Sequence, residues 1–289
     1  MKYVSTLFPP YIKCALEEYE NKNVEEIRLC AGSPFFIYAD GREHILYSGA
    51  AMVTVSMEDI DFILKRATGN SLYAYGEDIK NGFITVRGGH RIGITGRAVY
   101  EKNKILAIRD ISGINIRIAG IIPEDISYPA DFLYKNGELK NTLIVSPPKC
   151  GKTTLLREIV RIASDRGRER VVLIDERDEL ASVYEGVSHY DVGKRTLVLS
   201  GYGKREGFSH AIRGLSPTLI ACDEIGGEED RKVITEGIKR GVKIIATLHG
   251  EAQSLKNYKE AELFERFILL DKSFTPSFYE KRGDDIYEL

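Results

Sequence analysis

The sequence predicts an α/β protein in two parts: a smaller α+β N-terminal domain and a larger C-terminal domain built on a parallel sheet. Two observations carry this. In the second half, four short continuous apolar runs (TLIVS, VVLID, TLIAC and VKIIATL) are each separated by enough chain for a helix, the pattern of strands buried on both faces. In the first half the apolar residues alternate instead, as in strands with one wet face. The 289 residues suffice for two modest domains with real cores.

Taken in order, residues 24–41 (VEEIRLCAGSPFFIYADG) read as two strands about a Gly-Ser-Pro turn. Residues 57–68 (MEDIDFILKRAT) place Ile60, Ile63, Leu64 and Ala67 on one helical face behind Ser56 as N-cap. Residues 82–99 (GFITVRGGHRIGITGRAV) alternate around a Gly-Gly turn, and Ile114, Ile116 and Ile118 alternate again. The aperiodic stretch that follows holds prolines and a Gly turn, so the expected division is 1–125 as the α+β domain, 126–140 as linker and 141–289 as the second domain. There, residues 153–165 carry Leu155, Leu156, Ile159, Ile162 and Ala163 toward one side before Gly167.

Composition excludes several classes. Lys plus Arg number 41 against 43 Asp plus Glu, a net charge of −2, so no overall basic field recruits nucleic acid or anionic lipid. The four cysteines form no CxxC pair, which argues against a zinc cluster or redox dithiol and for a reducing compartment. The N-terminus lacks an uninterrupted apolar stretch and no run approaches eighteen apolar residues. The expected location is the cytoplasm, or the inner face of a membrane as a peripheral protein.

The segment joining TLIVS to the following helix reads Ser146-Pro147-Pro148-Lys149-Cys150-Gly151-Lys152-Thr153-Thr154, a phosphate loop with Ser146 in place of the first Gly. In such a loop, backbone N–H groups and a helix N-terminus meet the phosphates of ATP, a lysine (Lys152) reaches the β and γ oxygens, and a hydroxyl (Thr153) joins a Mg²⁺ shell. The TLIAC run ends in Asp223 and Glu224; Asp223 is expected to hold the metal through water and Glu224 to polarise the attacking water. Glu176 and Glu179, in the acidic cluster after VVLID, are further catalytic candidates. His249, ending VKIIATL, would serve as a nucleotide sensor, and Arg213 would neutralise γ-phosphate charge. Cys150, in the loop beside a helix N-terminus, is expected to be reactive where exposed.

Read together, the phosphate loop, DERDE, AIRGLSPTLIACDEIG and ATLHG resemble, in that order, the Walker A, Asp box, Walker B and His box of the secretion ATPases of type II and type IV systems. Within that superfamily the chain resembles the stage III sporulation protein AA family, with its PPxxGKTTLLR, DER-E, IRSMSPD---DEIG and TLHG motifs. Thr218 stands where that pattern has Asp. The resemblance implies a RecA-like sheet, a hexameric homo-oligomeric ring, and a motor beneath membrane-embedded channel proteins between mother cell and forespore. It also implies that the N-terminal domain is regulatory and supplies arginines to the nucleotide, here Arg91, Arg97 and Arg109.

Two other readings compete. RecA-like cores also drive nucleic-acid motors, and Arg157, Arg161, Arg166, Arg168 and Arg170 form a local basic stretch; interleaved acids and the lack of stacking aromatics favour a solvated helix face, so no nucleic-acid partner is expected. A regulator that binds nucleotide without hydrolysing it is the other, and Glu224 speaks against it.

Overall fold

The computed structural model describes all residues except 72–74, 81, 103, 120–129, 149, 252–254, 256–257, 273–274 and 284. They fall into two compact units, Met1–Ile121 and Ile122–Leu289.

In the first unit, short helices α1 (Lys2–Ser5) and α2 (Pro10–Leu16) precede strands β1 (Val24–Cys30), β2 (Phe36–Ala39) and β3 (Arg42–Ile45). Helices α3 (Met57–Ala67) and α4 (Gly76–Lys80) follow, then strands β4 (Phe83–Val86), β5 (His90–Glu101) and β6 (Lys104–Arg117). The strands form an antiparallel sheet in the order β3–β2–β1–β6–β5–β4. Ser56 caps α3 in a reciprocal box: its hydroxyl accepts from the Asp59 N–H at 3.1 Å while the Asp59 carboxylate accepts from the Ser56 N–H at 2.9 Å. The alternating isoleucines Ile84, Ile92, Ile94, Ile114 and Ile116 all enter the core against Ile60, Ile63 and Leu64 of α3.

Strands β5 and β6 outrun that sheet. Beyond Thr95 and Gly113, among the described residues, they pair only with each other, through Arg97↔Arg109 to Glu101↔Lys104, and Tyr100, Ile105 and Leu106 on this ribbon are exposed. The sequence pattern predicted the strands but not their excess length, because an apolar alternation marks a strand without saying what it pairs with.

In the second unit the core strands are β7 (Thr142–Ser146), β8 (Val171–Asp175), β9 (Thr196–Ser200), β10 (Leu219–Cys222), β11 (Lys243–His249), β12 (Arg266–Leu270), β13 (Pro276–Arg282) and β14 (Asp285–Glu288). Among the described residues they make one sheet in the order β9–β8–β10–β11–β7–β12–β13–β14, parallel from β9 through β12 and antiparallel over the last two strands. Helices α5 (Lys152–Asp165), α6 (Lys204–His210) and α7 (Gly227–Lys239) connect the strands. The continuous apolar runs are explained by two cores. Ile144, Leu173, Ala221 and Ile245 face Leu155, Leu156, Ile159, Val160 and Ala163 of α5. Leu143, Val145, Ile174, Cys222 and Ala246 face Phe208 of α6 and Ile234 of α7. Ile162, expected in the α5 core, is half-buried, and Val160 occupies that face instead. Strands β9 and β12 (TLVLS and RFILL) went unread in the sequence.

The expected linker needs correction. Residues 126–129 lie outside the described residues, but 130–140 form a turn of 3₁₀ helix (Ala130–Leu133) and a small hairpin, Tyr134–Lys135 with Glu138–Leu139. Phe132, Leu133 and Leu139 are buried in the second unit's core. Phe132 stacks on Phe278 at 4.8 Å and lies under the Arg266 guanidinium at 4.9 Å. Prolines and a Gly turn looked like a spacer because three core residues in eight positions give no period.

The same corner holds a charge network around one buried carboxylate. The Glu280 side chain, 7% exposed, meets Lys135 at 2.8 Å, Arg282 at 2.8 Å and Arg266 at 3.2 Å. Hydrogen bonds from Lys135 and Arg282 outweigh burial and hold its carboxyl down at about 2, against 4.5 for a free glutamate. A depressed carboxyl stabilises the fold fully above its unfolded value and progressively less as the solution is acidified toward its folded one. Glu280→Gln should therefore cost about 2 kcal/mol at pH 7, and its deficit against the parent in denaturant unfolding should shrink between pH 4.5 and pH 2. A deficit independent of pH would mean the loss is packing, not charge.

Candidate nucleotide site

The loop and the acidic strand ends meet at the carboxyl edge of the parallel sheet, where Ser146 at the end of β7 pairs in register with His249 at the end of β11. Gly151 caps α5 with φ +84°, a left-handed turn that a side chain would strain, and it delivers Lys152 into the first helical position. Gly250 is likewise fixed by space: a Cβ there would lie 2.5 Å from the Tyr258 hydroxyl.

Lys152 is the centre of the arrangement. Its side chain is 6% exposed, its ammonium lies 4.0 Å from Glu224 Oε1, and among the described residues it has no hydrogen-bond acceptor. Burial lowers its pKa, opposed by the charges of Glu224, Asp223 and Glu179. A cation buried without an acceptor at the start of a fourteen-residue helix fits an incoming phosphate, whose oxygens supply what the chain does not. Thr153 and Thr154 follow in the same turn, both half-buried. With Asp223, Thr153 provides two side-chain oxygens, which suits Mg²⁺ held jointly with nucleotide phosphates and not by a protein cage.

The rest of the loop is less exposed than a lining would be. Ser146 is fully buried and its hydroxyl donates to the Pro147 carbonyl at 2.7 Å, so it shapes the loop and does not line it. The Cys150 thiol is 4% exposed and donates to the Pro148 carbonyl at 3.6 Å, which corrects the expectation of an accessible thiolate. Pro147 is half-buried and Pro148 exposed. Lys149 lies outside the described residues.

Asp223 is buried, and burial together with the charges of Asp175, Glu179 and Glu224 pushes its carboxyl up to about 6, against a lesser opposing pull from Lys204. Glu224 adopts φ +44°, a left-handed conformation that costs a non-glycine residue on the order of 1–2 kcal/mol. Strand β11 enforces it: the Glu224 N–H donates to Thr247 Oγ1 at 2.8 Å and the Ile225 N–H to the Thr247 carbonyl at 2.8 Å. Two cations and an imidazole converge on the resulting carboxylate. His249 Nε2 lies 2.8 Å from Oε1, Arg177 Nη1 2.9 Å from Oε2, and Lys152 Nζ 4.0 Å from Oε1. Burial would raise the Glu224 pKa, but the His249 hydrogen bond and the Arg177 and Lys152 charges outweigh it and hold it below the usual value.

The acidic cluster divides its tasks. Asp175 is fully buried and its carboxylate accepts from the Glu179, Leu180 and Ala181 N–H groups at 2.8–3.0 Å, so it builds the loop. Glu176 pairs with the mostly buried Lys204 at 2.7 Å; burial would lower the Lys204 pKa, but Glu176 and nearby acids raise it. Glu179 lies close enough to act electrostatically on Lys152 and Asp223. The sequence reading missed Arg177, Lys204 and Thr247. Arg177 stands inside the DERDE cluster already singled out, but a charge in a charged loop carries no signal of the partner it finds across the sheet.

Arg213 is not brought to this cluster. It lies in the π-helical turn Ala211–Leu215 that leads into the amino end of β10, whereas Asp223 and Glu224 follow that strand's carboxyl end; four residues of strand, about 13 Å, lie between. Arg91, Arg97 and Arg109 belong to the first unit. Arg91 packs over the Phe83 ring at 4.8 Å, and Arg97, exposed on the ribbon opposite Arg109, pairs with Asp110 at 3.2 Å.

A phosphate loop opening α5, two carboxylates ending the parallel strand one removed from β7, and a mixed sheet define the second unit as a RecA-like P-loop nucleotide-binding fold. Solved structures agree: the chain superimposes on the Legionella pneumophila ATPase DotB with a TM-score of 0.60 at 17% identity, over 98% of this chain and 80% of that one. It also matches the ADP-bound pilus retraction motor PilT with a TM-score of 0.58 at 16% identity, over 89% and 76%. The chain belongs to the sporulation stage III protein AA family, whose model matches residues 10–286. It is 34% identical to stage III sporulation protein AA of Bacillus subtilis (strain 168), across 98% of this chain and 96% of that protein. Among the described residues no helix is long and apolar enough to cross a membrane.

The burial pattern predicts thiol chemistry. Cys14 and Cys30 are exposed while Cys150 and Cys222 are buried, and burial raises the Cys222 thiol further. An aromatic disulfide reagent should titrate two thiols quickly in the native protein and the other two only on unfolding. Fast modification persisting in a Cys14→Ser, Cys30→Ser double variant would mean the loop opens to solvent.

Proposed function

We propose that the chain is a Mg²⁺-dependent ATPase of the secretion-ATPase type, working as a homo-oligomeric ring on the membrane-embedded proteins of a channel between mother cell and forespore. The observation that carries the ATPase reading is the buried, acceptor-less Lys152 ammonium set 4.0 Å from the Glu224 carboxylate. Family membership and the fold shared with DotB and PilT support the secretion class and the site at the membrane.

The residues divide the work as follows. Lys152 and the α5 N-terminus bind the phosphates. Thr153 and Asp223 hold Mg²⁺, which when bound offsets phosphate charge. Glu224 orients the attacking water and accepts its proton, since phosphoryl transfer needs positioning more than covalent chemistry. His249, hydrogen-bonded to Glu224, fixes the carboxylate's orientation. Glu176 and Glu179 keep the acidic loop in place beside Asp223. Arg91, Arg97 and Arg109 act on the γ-phosphate from a neighbouring copy. Arg97 and Arg109 sit directly opposite each other on an exposed ribbon, with the Asp110 carboxylate 3.2 Å from Arg97, and present their guanidinium groups outward from the sheet.

The nucleic-acid reading loses support from what the basic stretch does. Arg157 is buried, donating to the carbonyls of Leu180 and Glu179 at 2.6 and 2.7 Å over the Tyr190 ring. Arg161 pairs with Glu158 and Asp165, and Arg170 donates to the Ser216 carbonyl at 2.8 Å. These groups are spent within the chain.

Lys152→Ala should abolish ATP binding, whereas Glu224→Gln should retain binding and lose about 10²–10⁴-fold in turnover; parental turnover in Glu224→Gln would transfer the base to Glu176 or Glu179. For the arginines, alanine at Arg91, Arg97 or Arg109 should lower turnover with ATP affinity little changed, and mixing any such variant with Lys152→Ala should restore partial activity. Normal turnover in all three variants, with specific activity independent of protein concentration, would leave the first unit a docking module.

A further inference from the structure

Glu224 is one carboxylate shared between two cations, Lys152 and Arg177, and the His249 ring. Its Oε1 faces both His249 at 2.8 Å and Lys152 at 4.0 Å, and its Oε2 takes Arg177 at 2.9 Å. Arg177 therefore lies one carboxylate's width from the Lys152 ammonium, close enough that its charge opposes that of Lys152. It comes from the loop built on Asp175, whose carboxylate accepts from the Glu179, Leu180 and Ala181 N–H groups and so closes the turn that carries Arg177, while the Arg177 side chain is 61% exposed.

We propose that Arg177 is a γ-phosphate-binding residue whose partner before nucleotide arrives is Glu224, so that a single exchange of partners senses ATP over ADP and frees the carboxylate that acts on water. The inference rests on the phosphate-loop reading given above. A γ-phosphate brings more charge and more acceptor oxygens than a carboxylate, and a guanidinium meets such an anion with two parallel N–H donors. Among the described residues Lys152 lacks an acceptor and Arg177 has a partly exposed one, so an anion bound at Lys152 gains both cations. Glu224, held at φ +44° by Thr247, keeps its place on losing Arg177 and retains the His249 hydrogen bond. ADP lacks the third phosphate and leaves the Arg177–Glu224 pair closed. The ordinary alternative is an exposed ion pair contributing at most about 1 kcal/mol and nothing to ligand choice.

The test is equilibrium binding of the full chain to Mg·ADP and to Mg·β,γ-imido-ATP, which carries a γ-phosphate but is not hydrolysed. Arg177→Ala should leave ADP affinity unchanged and weaken the analogue roughly tenfold or more; Arg177→Lys, which keeps the charge but not the fork, should recover part of that loss. Glu224→Gln, which releases Arg177 beforehand, should tighten the analogue in the parental background and have no such effect beside Arg177→Ala. Equal losses for ADP and analogue in Arg177→Ala, or a Glu224→Gln effect identical in both backgrounds, would overturn the inference while leaving the nucleotide site intact. A parent chain that binds neither nucleotide would overturn the phosphate-loop reading and the inference with it.

Discussion

An ammonium taken out of water costs several kcal/mol unless an anion meets it, and Lys152 places one at the head of α5 with its nearest carboxylate 4.0 Å away. The chain tolerates this because the surrounding charges balance only loosely: Asp223, Glu179 and Glu224 pull on Lys152, while Arg177 and burial push against it. A fully satisfied lysine would be a better structural element and a worse phosphate receptor. The proposed phosphate binding draws on the shortfall at this one atom, and the sheet, the left-handed turns at Gly151 and Glu224 and the Asp175 loop surround the group in that state.

The parallel sheet supplies the rigidity. Strands β7, β8, β10 and β11 are buried on both faces, so their carboxyl ends are fixed by packing from two sides, and each end presents one working group: the phosphate loop, the acidic loop, Asp223 with Glu224, and His249. Thr247 shows how closely the strands cooperate. Its hydroxyl and carbonyl both accept from the turn after β10, so a residue of one strand sets the backbone conformation of the glutamate on the next. That dependence is cooperative in the sense that loosening any one strand would misplace a neighbour's side chain.

The first unit follows a different logic. Its sheet has one covered face, closed by α3, and the β5–β6 ribbon extends past it with arginines and aromatic or aliphatic side chains in water. Within one chain this ribbon adds little stability: its apolar residues are exposed and the ion pair of Arg97 with Asp110 lies in water. The proposed function gives the ribbon its use, with the arginines meeting the γ-phosphate of a neighbouring copy.

Much of this was legible in the residue order. GKTT after an apolar run and Asp-Glu after another define the phosphate loop and its carboxylates because their chemistry depends on local spacing, and the four continuous apolar runs announce a doubly covered sheet for the same reason. The capped helix at Ser56 and the Gly-Gly hairpin are equally local. What tertiary structure alone decided are the relations across strands. Phe132, Leu133 and Leu139 look like spacer until the antiparallel edge at Phe278 packs on them. Arg213 stands close to Asp223 in sequence but at the opposite end of β10, and Arg177, distant in sequence from Glu224, lies against it. Ser146 and Cys150 fall within the phosphate-loop motif, yet their side chains point inward. Sequence fixes which groups a strand end carries, because that depends on a few neighbouring residues; which of them share an ion pair depends on strand order and on burial, quantities set by the whole sheet at once.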